Sequence, residues 1–183
     1  MIGYIAGSLP IGYFVTHSAR GVDLRRVGSG NVGAANVYRT SGLGMAIAVV
    51  IADATKGAAA VLLAGGGSHA VVSGVAAVIG HIYPVWLGFK GGKGVATAGG
   101  AFTVLSPLPA AIAAAAFAVT VARSRFVSLG SIVATVLLPV IEWMTPGPRA
   151  VDIGATIVAA MILFRHRGNM TRLWSRTERA LGT

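Results

Sequence analysis

Seven apolar segments follow one another along the chain with only short polar interruptions, and no soluble fold accommodates that pattern. They run Met1–Thr16, Leu43–Leu63, Ala70–Leu87, Val95–Leu105, Leu108–Ala122, Val127–Met144 and Ile153–Phe164. An α-helix needs about 20 apolar residues to cross ~30 Å of hydrocarbon. Five of the segments reach or approach that length, given tilt and local thinning. Val95–Leu105 and Leu108–Ala122 are short and are separated by Ser106-Pro107-Leu108-Pro109. Only 11% of the 183 residues are charged, which leaves too little polar surface for a second, soluble domain. The fold class is therefore an all-α polytopic membrane protein, one domain over residues 1–183.

Charge placement sets the expected topology. Arg20, Arg25, Arg26 and Arg39 lie between the first two segments, and Arg165, Arg167, Arg172, Arg176 and Arg179 follow the last. Basic loops stay cytoplasmic. A first loop and a C-terminal tail on one side require an odd number of crossings. The preferred count is seven transmembrane helices, two of them short, with the N-terminus outside and the C-terminus cytoplasmic. Five, with a re-entrant turn at Pro107–Pro109, is the alternative. With seven, thirteen of the fifteen Lys and Arg residues fall inside, Arg149 falls outside, and Lys56 lies within a span. The net charge of +10 is thus an orientation signal. Nucleic acid is not an expected partner, because there is no soluble module to carry it. The start, Met1-Ile2-Gly3-Tyr4, lacks a basic leader region and reads as a membrane segment. Cysteine is absent, which excludes disulfides and thiolate chemistry.

Three polar stretches interrupt this pattern with residue types that mere connectors do not need. The first, Val27–Arg39, holds Gly28, Ser29, Gly30, Asn31, Asn36 and Arg39. Such a loop can offer N–H groups to an anion and close on it with a guanidinium. The second, Phe89–Thr97, holds Gly91, Gly92, Lys93 and Gly94 just before a helix whose N-terminus favours anions. It lacks the spacing of a nucleotide-triphosphate loop, since Leu87 stands where the first glycine would be required. The third is His166, Arg167 and Asn169 at the end of the last segment, with Arg172 and Glu178 beyond. Two flanking arginines favour a neutral His166.

Other candidates are weaker. Asp53 and Lys56 share a face of the second span at i, i+3, an expensive placement unless the two are paired, and they read as structural. Ser128 and Ser131 open the sixth span and could add anion donors. The many Ala and Gly residues in the spans predict close helix packing. No histidine is followed five positions later by Asp, and Asp23 and Glu178 stand apart in sequence. Too few ligands face one side for a hydrolytic metal site, so neither a metal nor a cofactor is expected.

Gly-Ser-Gly-Asn at residues 28–31 and Lys-Gly-Gly-Lys-Gly-Val-Ala-Thr at 90–97 stand in one short polytopic chain. With these inside the longer stretches Gly28–Arg39 and His81–Thr97, and with Tyr4–Tyr13, Asp53–Gly57, Ser128–Ser131 and His166–Glu178, the chain resembles the PlsY family of bacterial membrane acyltransferases throughout. The resemblance implies acyl transfer from a fatty acyl-phosphate to the 1-hydroxyl of glycerol 3-phosphate, giving lysophosphatidic acid and inorganic phosphate. It implies seven spans and an active site facing the cytoplasm; the expected setting is the bacterial inner membrane among its lipids, with the chain a monomer. Residue by residue, it puts Ser29 and Arg39 in the catalytic loop, and Lys93 with Gly91, Gly92 and Gly94 in a phosphate-binding loop. His166 and Asn169 would hold the polar substrate, Glu178 would organise the tail, and Ser128 or Ser131 would touch the acyl-phosphate. The chain departs from the family pattern at Ala35 (Thr in the family), Gly168 (acidic), Arg176 (Gly) and Ala180 (Lys), which predicts weakened ion pairing in the tail. A small anion or lipid transporter is the alternative class, although no inverted repeat is visible.

Overall fold

The computed structural model describes residues 1–182 and divides into two compact units, Met1–Ala101 and Phe102–Thr183. The helices are α1 (Ile2–Ser8), α2 (Ile11–Arg20), α3 (Ala34–Ser41), α4 (Leu43–Leu62), α5 (Gly67–Ile82), α6 (Val95–Leu105), α7 (Pro107–Ser124), α8 (Val127–Met144), α9 (Arg149–Arg165) and α10 (Arg167–Trp174). A single 3₁₀ turn, Val85–Leu87, follows α5. No strand occurs among the described residues. Four stretches are long and apolar enough to cross a membrane: Leu43–Leu62, Gly67–Leu87, Pro107–Ser124 and Val127–Met144. α6 is apolar but shorter.

The first apolar segment is not the single helix that its hydropathy predicts. Pro10 has no N–H to donate, and Leu9 swings to an extended ψ of 114° before α2 begins. Two donors take up the Leu9 carbonyl at this break, the Ile11 N–H at 3.0 Å and the Lys56 ammonium at 3.0 Å. Irregular backbone at membrane depth needs such internal partners, because hydrocarbon supplies none. The short segments Val95–Leu105 and Leu108–Ala122 are likewise separate helices. Ser106 caps the break and Pro107 occupies the first turn of α7, where its missing N–H is harmless.

Within Met1–Ala101, small residues bring backbones together. A methyl group on Gly7 of α1 would run into the Ala77 carbonyl of α5, and one on Gly80 of α5 would run into the Tyr4 carbonyl. Gly57 of α4 faces the Thr97 carbonyl of α6, while Gly100 faces that of Ala54. Close backbone approach of this kind is how membrane helices associate without a hydrophobic drive between them. A separate cluster of Leu24, Val32, Val37, Ala46, Val49 and Leu87, flanked by Tyr13 and Tyr38, packs around the first polar loop and α3.

Within Phe102–Thr183, α8 packs on both α7 and α9, with Gly130 set against Phe117 and Val121. The exposed side chains of these helices are largely apolar (Leu108, Ile112, Val119, Val136, Val140, Ile153, Ile157), as lipid contact requires. The polar exceptions are inward. Glu142 is buried and accepts a hydrogen bond from Ser106 Oγ.

Candidate active site

The loop Val27–Arg39 is shaped by one side chain. Asn36 is 1% exposed, and its Oδ1 accepts the Ser29 N–H at 2.9 Å. Its Nδ2 donates to the carbonyls of Val27 at 3.0 Å and Leu24 at 3.1 Å. Gly28 turns beneath this amide at φ +61°, where a Cβ would strike the Asn36 oxygen. Asn31 Oδ1 accepts the Gly33 N–H at 2.8 Å, an Asx turn that leads into α3. The amide of Asn36, expected among the phosphate ligands, is therefore spent on the loop itself. Ser29 stands exposed at the tip of the loop.

The expected loop also ends early. α3 begins at Ala34, so Arg39 sits half-buried on a helix whose Val37 is buried in the cluster below. A helix offers a guanidinium a firmer base than a loop would. Ahead of the loop, Asp23 accepts from the Arg25 guanidinium at 3.0 and 2.8 Å and from its N–H at 3.0 Å. These bonds hold the Asp23 carboxyl down at about 2.

The second loop is folded back onto the end of α5. The chain turns through Gly88 and Phe89, both left-handed, with φ +63° at Phe89. The Gly91 N–H then donates to the Ile82 carbonyl and the Gly92 N–H to that of His81, each at 3.1 Å. These two glycine amides are thus engaged by protein carbonyls. What the loop can show an anion is the half-buried Lys93 side chain and the N-terminus of α6, entered through Gly94 at φ +90°. Both glycines are sterically required. A Cβ on Gly91 would meet the His81 carbonyl and the Pro84 ring, and one on Gly92 would meet His81 Nε2.

Beneath this loop lies an ionic cluster that the sequence shows only in part. Asp53 and Lys56 form the expected pair at 2.8 Å, both almost fully buried. His81 joins them, its Nδ1 3.4 Å from the same Asp53 oxygen. In the sequence His81 only opens the His81–Thr97 stretch of the family resemblance, which gives it no role.

In the second unit, one carboxylate gathers the tail. Glu178 Oε1 accepts from Asn169 Nδ2 at 2.7 Å and Ser128 Oγ at 3.0 Å, and Oε2 accepts from Arg172 Nε at 2.7 Å. Burial pushes the Glu178 carboxyl up, but these three donors outweigh it and hold the group below its ordinary value. The expected loss of ion pairing does not reach this centre, because Arg172 supplies the charge. Ser131 Oγ donates to the Val127 carbonyl of its own helix at 2.9 Å. His166 is 2% exposed, and its Nδ1 lies 2.8 Å from the Ile162 carbonyl, which fixes the proton on that nitrogen. The last residues are tied back through Arg125, whose carbonyl accepts the Leu181 N–H at 2.8 Å and whose guanidinium donates to the Leu181 carbonyl at 2.9 Å.

Known proteins place this arrangement. The profile of the glycerol-3-phosphate acyltransferase family matches residues 1–176. The chain belongs to that family. It is 45% identical to a glycerol-3-phosphate acyltransferase of Myxococcus xanthus, covering 98% of this chain and 96% of the relative. It is 41% identical to one of Brucella ovis, covering 100% and 91%. Its fold is similar to the crystal structure of PlsY, an integral membrane glycerol 3-phosphate acyltransferase, in the glycerol 3-phosphate form. That match has a TM-score of 0.92 at 39% identity and covers 99% of this chain and 92% of the other. The lysophosphatidic acid form of PlsY is similar at a TM-score of 0.89 and 37% identity, covering 100% and 93%. Like its relatives, this acyltransferase is an integral membrane protein built on apolar helices.

Proposed function

We propose that the chain transfers a fatty acyl group from an acyl-phosphate to the 1-hydroxyl of sn-glycerol 3-phosphate. The products are lysophosphatidic acid and inorganic phosphate, the first step of bacterial phospholipid synthesis. The observation that carries this reading is the family match over nearly the whole length, together with likeness to PlsY in forms holding glycerol 3-phosphate and lysophosphatidic acid. Family membership disfavours the transporter alternative.

The chemistry suits the residues available. The hydroxyl oxygen attacks the acyl carbonyl carbon, a new C–O bond forms, and the bond from that carbon to the phosphate oxygen breaks. Phosphate is a good leaving group, so no covalent enzyme intermediate is needed. Aligning the two substrates supplies about 7–11 kcal/mol of the barrier. Arg39 and Lys93 offset the mutual repulsion of two phosphates, and Ser29, on its braced loop, donates to one of them. His166 and Asn169 hold the polar substrate, with Asn169 aimed by Glu178. The hydroxyl proton passes to the departing phosphate, with neutral His166 the weaker acceptor.

The topology reading is seven spans, N-terminus outside, with the active site on the cytoplasmic face of the inner membrane, in a monomer. In support, α1 and α2 together, α4, α5, α6, α7, α8 and α9 supply seven segments. The short helices α3 and α10 coincide with the two most basic stretches.

The test is phosphate release by the purified protein in detergent. Release is expected only with acyl-phosphate and glycerol 3-phosphate together, and acyl-CoA should not replace the donor. A Ser29→Ala, Arg39→Ala variant should fall at least about 100-fold. Equal release by that variant would overturn the site assignment, and no release by the parent would overturn the function.

A further inference from the structure

We propose that His81 is a positioning residue of this reaction, holding the Gly91–Lys93 loop in place so that the Lys93 ammonium meets its phosphate. The inference rests on the reading above, that Lys93 binds a substrate phosphate. Its own support is a chain of contacts inside the unit Met1–Ala101.

Asp53 lies at one end of this chain. As a carboxylate paired with Lys56 at 2.8 Å, it can only accept, so His81 presents it with the Nδ1–H. That orients the ring and turns the opposite edge, Nε2, toward the loop. There the ring lies against Gly92 so closely that a Cβ would not fit. The same residue grips the loop a second time, its carbonyl accepting the Gly92 N–H at 3.1 Å. Side chain and backbone of one residue thus set the position of the residue that precedes Lys93.

Charge balance does not explain the histidine. Lys56 already neutralises Asp53, and it reaches on to the Leu9 carbonyl at the break between α1 and α2. A small cavity with room for about one water borders Asp53, Lys56 and His81 together with Pro10 and Val32. Val32 belongs to the Ser29 loop, and its carbonyl lies against Gly12 of α2. The cluster therefore braces the Lys93 loop through His81 and adjoins the Ser29 loop through Val32. In this arrangement His81 adds geometry, so its loss shows first in binding of the phosphate that Lys93 holds.

A double-mutant cycle read in KM and kcat tests this, with thermal unfolding as the control for folding. His81→Asn keeps a donor near the Nδ1 position for Asp53 but removes the edge against Gly92. It should raise KM for one of the two phosphorylated substrates at least about 10-fold, change kcat less, and leave the melting temperature near the parent's. Gly92→Ala, which pushes the loop off the ring, should raise the same KM. Because both act on one contact, the double variant should be no worse than the worse single variant. An active parent whose two KM values are unchanged by His81→Asn would overturn the inference alone. So would effects that multiply in the double variant, or a loss of activity that only follows a loss of melting temperature. A parent that releases no phosphate with either substrate would overturn the reaction reading, and this inference with it.

Discussion

The two units solve the same problem, holding a buried carboxylate and a few polar side chains still, but only in the second does the charged partner reach the surface. In Met1–Ala101 the ionisable groups Asp53, Lys56 and His81 are buried among apolar helices and satisfied by one another and by a broken-helix carbonyl. In Phe102–Thr183 the corresponding knot lies in the C-terminal tail beyond the last apolar helix. There Glu178 collects Ser128, Asn169 and Arg172, the last of which is largely open to water. A knot whose charged partners are all buried is costly to break, because removing one strands the other. A knot beside water is cheaper to break and answers to pH. The first lies beneath the loops proposed to bind phosphate, and the second holds the amide of Asn169.

Removing one partner from the buried knot should give the largest effect. Asp53→Ala strands a buried ammonium and should cost about 3–5 kcal/mol, seen as a collapse of the detergent-stable fraction in thermal unfolding. A melting temperature close to the parent's would erase the distinction between the units. Next comes Asn36→Ala, which leaves the Ser29 N–H and two carbonyls without their partner. It should destabilise by about 1–3 kcal/mol and lower kcat/KM more than stability alone explains, since Ser29 loses its brace.

The tail should respond to acid through Glu178. The folded-state value of Glu178 is depressed, so its contribution is present above the ordinary value of 4.5. It fades as pH falls through the folded-state value below that. Proteolysis of the tail should therefore accelerate below about pH 4.5, and Glu178→Gln should produce the faster cutting already at neutral pH. Unchanged cutting in that variant would remove Glu178 as the organiser. The smallest effect is expected at Arg176, which adopts a left-handed φ of +56° where the family pattern has glycine. Arg176→Gly should relieve about 1–2 kcal/mol of backbone strain. It returns some of this as unfolded-chain entropy, for a net gain of about 0.5 kcal/mol in a denaturant titration.

What could be read from the sequence follows the range of the interaction. Helical apolar runs such as Val127–Met144 and the i, i+3 pair Asp53–Lys56 are local patterns, and the structure keeps both. The break at Pro10 escaped a hydropathy reading because apolar residues flank it on both sides, although proline itself was the signal. α3 was hidden because its glycine-rich entry reads as loop up to Gly33, while the turn made by Asn31 delivers the chain directly to the helix start. The bracing by Asn36 was not legible, since an amide that can bind phosphate can equally bind its own loop. Glu178 and its near partners Asn169 and Arg172 stand together in the sequence, but Ser128, fifty residues away, could not be paired with it from spacing. His81 met Asp53 only once α4 and α5 were packed, which no spacing along the chain could announce.

The central claim is tested most directly by identifying the product. Purified protein is incubated with a fatty acyl-phosphate and isotopically labelled glycerol 3-phosphate, and the lipid and phosphate formed are quantified together. The account predicts labelled 1-acyl lysophosphatidic acid and inorganic phosphate in equal amounts. Phosphate released without labelled lipid would show hydrolysis and contradict it.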